Sequence, residues 1–385
     1  MYLLRLISRN ALRHKLRTAL TILGLVVATL SFGLLQTVVD AWYSGAEGAS
    51  ATTLVTRNAT SLVFPLPLSY QERVRAVDGV SGVGYANWFG GIYQEPKNFF
   101  AQFAISGKSY LDIYPDYLLP EAERSAFLRD RKGAIVGRKL AMQYGFKVGD
   151  IIPLRGTIFP GQWEFVVRGI YDGRQSTTNT ATMFFHWDYI NEVVKRSIPR
   201  RANQVGVYVV QIAHAEDAAA VSGAIDAQFR NSLAETLTET EKAFQLGFVS
   251  MSEAIVVAIR VVSFVVIVII MAVMANTMAM SARERLAEYA TLKVLGFGPG
   301  YLAALIFGES MLLALAGAAL GILLLFPVAA TFAAAMGTMF PVFQVSPLTV
   351  LLQLLSAVAV GLVAGIAPTL RAARVNIVEG LRSIG

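Results

Sequence analysis

Cysteine is absent from all 385 residues, which excludes disulfide staples, thiol nucleophiles and cysteine-based zinc sites. It leaves the compartment open, because an oxidising compartment permits disulfides without requiring them. Histidine is scarce, and His14, His186 and His214 lie far apart in the sequence, so no metal site is expected. Charge is thin as well: 15% of residues are charged, against roughly 25% in an average soluble domain. No G-x-x-x-x-G-K-[ST] phosphate loop occurs, since Gly107-Lys108-Ser109 has Gln102 where the first glycine belongs. ATP hydrolysis by this chain is therefore not expected.

What is abundant is apolar surface, with 55% hydrophobic residues and a mean hydropathy of +0.54. No charge interrupts Thr18 to Val39, 22 residues, about 33 Å as a helix and enough to span a bilayer core. The run exceeds the 7–15 apolar residues of a cleaved signal peptide, so an uncleaved anchor is expected. Val261 to Ala282 spans once between Arg260 and Arg283, and Ser310 to Leu370 holds no charged side chain at all. Gly337, Pro341 and Pro347 divide that last stretch into two spans. The expected spans are residues 18–42, 254–282, 299–335 and 348–370.

The excess positive charge, +7 overall with a pI near 9.5, would suit nucleic acid if it were spread over a folded domain, but it is not. Residues 1–17 carry five Lys/Arg and no acid, and residues 281–300 and 371–385 carry three each, whereas residues 43–253 hold 21 basic and 21 acidic side chains. Basic residues beside spans mark the cytoplasmic side. Both termini and the 283–298 loop are thus expected in the cytoplasm, with residues 43–253 and 336–347 outside and no nucleic-acid partner. Within residues 1–17, Leu4, Ile7, Ala11 and Leu12 share one helical face and Arg5, Arg9 and Arg13 another, an amphipathic helix for the lipid interface.

Residues 43–253 read as a mixed α/β domain. Ser69 to Glu72 is a capping box opening a helix to Val77, followed by a strand over 80–85. A strand at 205–212 and a helix at 215–230 close the domain. Between them lies a strand-rich insert including GAIVGRKLA, DIIPLRG and WEFVVRGIYDG. Residues 232–253 are expected to form a helical stalk leading into the second span, with an ordinary linker as the alternative.

The most informative loop is SARERLAEYATLKVLGFGPG. Glu284 and Glu288 sit four apart on one face and Leu286, Tyr289 and Ala290 on another, while Gly296, Gly298 and Pro299 stop the helix. Such a helix either docks a cytoplasmic partner or simply rests at the interface. Glu309 has two readings, an ionisable functional group within a span or a head solvated near the cytoplasmic interface, and a structural role is preferred. Gly317 and Gly321, four apart, suit close helix packing.

Taken in order, Arg283 to Gly296 after the second span, FGESMLLALAGAALGILL in the third, AIVGRKLAMQYGFKVGDIIPLRG in the domain, and the tail Pro368, Arg371, Ala372, Ala373, Arg374, Glu379, Leu381 and Arg382 resemble the MacB/FtsX family of ABC-transporter permeases. The resemblance implies an α-helical membrane protein of four transmembrane helices, with a mixed α/β extracytoplasmic domain inserted between helices 1 and 2. It implies a non-catalytic bacterial inner-membrane subunit, without cofactor of its own, that couples to a separate ABC ATPase dimer carrying ATP and Mg. Coupling falls on Arg283, Glu284, Arg285, Glu288, Tyr289, Leu292, Leu295 and Gly296. A second permease copy or a paralogue completes the membrane part, surrounded by lipid, and a periplasmic adaptor with an outer-membrane channel would complete an export path. Two outcomes fit the family: export or extraction of a substrate from membrane or periplasm, or FtsX-like signalling to a cell-wall hydrolase without transport. A membrane enzyme has no support, because no paired catalytic residues stand out.

Overall fold

The computed structural model describes residues 2–11, 13–175, 177–337, 340 and 342–374. In chain order the helices are α1 Tyr2–Ala11, α2 Lys15–Glu47, α3 Tyr70–Arg75, α4 Gly107–Ile113, α5 Glu121–Arg129, α6 Arg138–Tyr144, α7 Trp187–Ser197, α8 Ala218–Phe229, α9 Glu241–Met251, α10 Glu253–Glu284, α11 Leu286–Val294, α12 Pro299–Met336 and α13 Pro347–Arg374. The strands are β1 Thr53–Asn58, β2 Leu66–Pro67, β3 Val80–Trp88, β4 Ala101–Ile105, β5 Tyr117–Leu118, β6 Gly133–Gly137, β7 Ile151–Gly156, β8 Gly161–Gly173, β9 Thr182–His186, β10 Gln204–Val205, β11 Val207–Ile212 and β12 Thr236–Thr240. The chain divides into a helical unit and an α/β unit.

In the helical unit α2, α10, α12 and α13 are each long and apolar enough to cross a membrane. A helix satisfies its own backbone groups, the requirement for crossing lipid. The third of them ends where Gly337 takes a positive φ of 57°. The four pack through small residues and a few polar clasps. A Cβ on Gly317 would lie 2.4 Å from Leu25 Cβ, and one on Gly321 would lie 2.8 Å from Thr29 Cβ and 3.0 Å from the Val26 carbonyl. Helix α12 therefore runs with its glycines pressed on α2. Gln353 of α13 donates to the Thr29 carbonyl at 2.8 Å, and Ser310 of α12 to the Gly361 carbonyl at 2.8 Å. Asp40 accepts from Ser346 at 2.8 Å and Thr349 at 2.9 Å, joining α2 to the first turn of α13.

The α/β unit is built on one large sheet in the order β12-β1-β11-β3-β4-β9-β6-β8-β5, with β7 on β8; β2 and β10 pair separately. Its first four positions form an antiparallel set in which β1-α3-β3 and β11-α8-β12 interleave, a split βαβ pair. The rest of the sheet is the insert, where β4 and β9, and β6 and β8, run parallel. Alternation along the strands buries both faces. Phe185, Tyr208 and Val210 point into a core with Val74, Leu140, Ile190 and Ile225 from α3, α6, α7 and α8. Their neighbours Phe184 and Val209 point the other way, to Leu111 and Phe127 of α4 and α5. Each such side chain contributes about 1.5–3 kcal/mol by leaving water.

Three local expectations change. Residues 236–240 are a strand, not a stalk helix: β12 pairs with β1, and Asp226 accepts from Thr236 Oγ1 at 2.8 Å and from Thr238 Oγ1 at 2.7 Å. β-Branched threonines at every second position favour the pleat over the helix. Helix follows only from Glu241, capped by Thr240. Ser69 is itself in a helical conformation and makes no side-chain cap, so the expected capping box does not form. The segment 283–296 is not one helix, because α10 runs through Glu284 and α11 starts at Leu286 after a break at Arg285.

Candidate functional site

The break at Arg285, with φ −110° and ψ 13°, accompanies an inward side chain. Its guanidinium donates to Glu309 at 2.8 Å and to Glu288 at 3.0 Å and lies over the Tyr289 ring, 5.6 Å from the centroid. Arg285 and Glu309 are both buried. The solvated-head reading of Glu309 is therefore replaced by a buried ion pair that fixes α11 to α12. Burial pushes the Tyr289 hydroxyl up to about 12, so it stays protonated.

The acidic face is occupied from within the same unit. Arg17 donates with two nitrogens to Glu284, each at 2.7 Å, and Arg13 pairs with Glu288. Burial pushes the Glu288 carboxyl up, but hydrogen bonds from Arg13 and Arg285 outweigh it and hold the group below the usual range. Glu284 and Glu288 thus serve internal pairs with the N-terminal segment rather than an open charged face. Sequence reasoning missed Arg13 and Arg17 as partners, although their four-residue spacing matches that of the two glutamates.

What the loop offers outward is its apolar end. Val294, Leu295 and Phe297 are exposed, while Tyr289 and Ala290 are buried and Leu292 packs against the helical core. Gly296 supplies the positive φ of 86° that ends the turn, and Phe297 N–H bonds the Leu292 carbonyl at 3.0 Å. Lys293 donates to the Ala373 carbonyl at 2.8 Å, so α11 is also tied to the end of α13. Arg283 is exposed on α10. In the tail, Pro368 is buried within α13 and Arg371 and Arg374 are exposed, while Glu379 and Leu381 lie outside the described residues. Among the described residues no group of three or more His, Asp or Glu is placed to hold a metal ion.

Four spanning helices, an α/β domain inserted after the first, and a short helix clamped between the second and third define a multi-pass membrane protein of permease type. The family description "MacB-like periplasmic core domain" matches residues 18–228, more than half the chain, and "FtsX-like permease C-terminal" matches residues 260–377. The chain belongs to the MacB/FtsX family of ABC-transporter permeases. Among curated proteins, none matches it by sequence. Solved structures similar to it include the periplasmic region of MacB from Actinobacillus actinomycetemcomitans, at 10% identity and a TM-score of 0.37 over 52% of this chain and 94% of that one. Another is the extracellular domain of the noncanonic ABC-type transporter YknZ from Gram-positive bacteria, at 16% identity and a TM-score of 0.35 over 49% of this chain and 98% of that one.

Proposed function

We propose that this chain is the permease subunit of an inner-membrane ABC system. It couples ATP hydrolysis by a separate ATPase dimer to movement of its α/β domain, for export or extraction of a substrate from membrane or periplasm. Both termini and α11 face the cytoplasm in this reading, the α/β domain lies outside, and two permease copies or a copy and a paralogue work together. ATP and Mg belong to the partner.

The observation that carries the reading is the short helix α11. It is bound to the spanning helices through Arg285–Glu309 and through Lys293 to the end of α13, and it presents an exposed apolar end at Val294, Leu295 and Phe297. A rigid lever with an apolar tip fits a pocket on another protein, where such a residue anchors the contact. The docking residues are therefore Leu295 and Phe297, with Val294, rather than Glu284 and Glu288.

Leu295→Asp and Phe297→Asp are the test, since both positions are exposed and the variants should keep the parent's fold, checked by their unfolding midpoints. Co-purification with a separate ABC ATPase that binds the parent chain should be lost in either variant. Binding equal to that of the parent would sink the assignment.

A further inference from the structure

A cavity of about 820 Å³ lies within the α/β unit, a volume suited to a drug-sized molecule. Its walls include the last turns of α2, the β4, β9 and β11 side of the sheet, α4 with the turn after it, Gln175, residues 177–179 and the start of α9. Aromatic rings are prominent, among them Trp42, Phe103, Tyr110, Tyr114, Phe184 and Phe340. Three acids line it, Asp112, Asp116 and Glu241, and no Lys or Arg is among the lining residues.

Two of the acids already have cationic partners. Asp112 pairs with Lys108 at 2.7 Å and Arg124 at 2.5 Å, and Asp116 with Arg174 at 3.2 Å. Glu241 differs, because its Oε1 accepts from the Tyr114 hydroxyl at 2.8 Å and its Oε2 from the Ser50 N–H at 3.2 Å. Both donors are neutral, and among the described residues no cation pairs with it. Burial accordingly raises this carboxyl above the usual range against the pull of both hydrogen bonds.

A partly buried carboxylate with neutral donors alone is half of an ion pair, and the surrounding rings offer negative faces to a positive charge. An anion would meet the Glu241 carboxylate and find no cation lining the cavity to receive it. A neutral apolar molecule would gain contact area and leave Glu241 unmatched.

We propose that this cavity is a binding site for an organic cation with an apolar body, its charge against Glu241 and its apolar part among the rings. The site stands on the cavity alone and is independent of the coupling reading, so it can be tested without any ATPase.

The chain is cysteine-free, so Ala49→Cys, at a lining position, places one thiol at the site. The full chain in lipid nanodiscs is treated with a maleimide in the presence of tetraphenylphosphonium or of tetraphenylborate, which has the same shape and the opposite charge. The phosphonium should slow alkylation saturably and the borate should not, which separates the cavity from lipid partitioning. Adding Glu241→Gln should weaken the protection about tenfold or more, as expected for loss of a charge partner, whereas Glu241→Asp should keep most of it. No protection by the phosphonium, equal protection by the borate, or protection unchanged in Glu241→Gln would each overturn the proposal. Should Glu241→Gln fail to fold, the phosphonium–borate contrast in the Ala49→Cys chain and the Glu241→Asp result still decide.

Discussion

Arg285 donates to Glu309 at 2.8 Å with both side chains less than a tenth exposed, so the start of α11 is anchored to α12 by a pair that water barely reaches. Such a pair is costly to break from one side and cheap to replace as a whole. Glu309→Leu and Arg285→Met should each destabilise the purified chain by about 3–5 kcal/mol. Glu309→Leu should fall at the lower end because Glu288 still holds the guanidinium. The double variant should recover most of the loss in chemical unfolding of the detergent-solubilised protein. Additive losses would show that the two residues act independently.

The pair Arg17–Glu284 lends itself to a charge swap. As a solvent-screened pair it contributes little, so Glu284→Lys should lower the unfolding midpoint only slightly. Arg17→Glu combined with Glu284→Lys should restore stability, and both variants should keep ATPase binding in a pull-down. If the swap restores stability but loses binding, Glu284 contacts the partner directly.

Glycine positions separate packing from flexibility. Gly317→Ala puts a methyl 2.4 Å from Leu25 Cβ and should cost about 1–3 kcal/mol as helices α2 and α12 are forced apart. Gly223→Ala, in α8 with nothing within 4 Å of the new methyl, should instead gain about 0.5–1 kcal/mol. Comparing unfolding midpoints of the two variants with the parent checks both signs.

Glu241 gives a pH dependence of defined sign. Its folded-state carboxyl is raised from 4.5 by burial, so the folded chain binds its proton more tightly than the unfolded chain does. The stability this contributes is complete below the unfolded value and is lost as pH rises through the folded one. Glu241→Gln removes that dependence, so its stability relative to the parent should improve as pH is raised from about 4.5. Tyr114 is the titratable group that acts on it, and Tyr110 and Tyr117 feel its charge in turn; all three hydroxyls are raised by burial, so they stay neutral throughout. Melting curves of both proteins across acid to neutral pH provide the comparison.

The spans were legible because a charge-free run of 22 residues has few alternatives in a chain with so little charge. The sheet was not legible, since its order depends on pairings such as Leu54 with Val210 and with Thr240, which leave no mark at short range. The strand at Thr236–Thr240 did leave one, alternate threonines, masked by the helix-forming residues around it. At α11, spacing identified the two faces but could not say which was already taken. Arg13, Arg17, Glu284 and Glu288 form two matching four-residue ladders of opposite sign, which become partners only when the fold brings the ends of α2 and α10 together.

The clasp at Asp40 sets an order on biosynthesis. Its hydroxyl donors, Ser346 and Thr349, lie 306 and 309 residues downstream, and at about 5–20 residues per second a ribosome needs roughly 15–60 s to reach them. Through that interval Gln36, one turn back, is the side chain that shares a hydrogen bond with the carboxylate, at 3.0 Å. The first helix enters the membrane long before the last can close over it. Final sealing of the bundle is thus a step that only a nearly finished chain can take, and a nascent chain stopped short of residue 346 would leave the carboxylate without those hydroxyls.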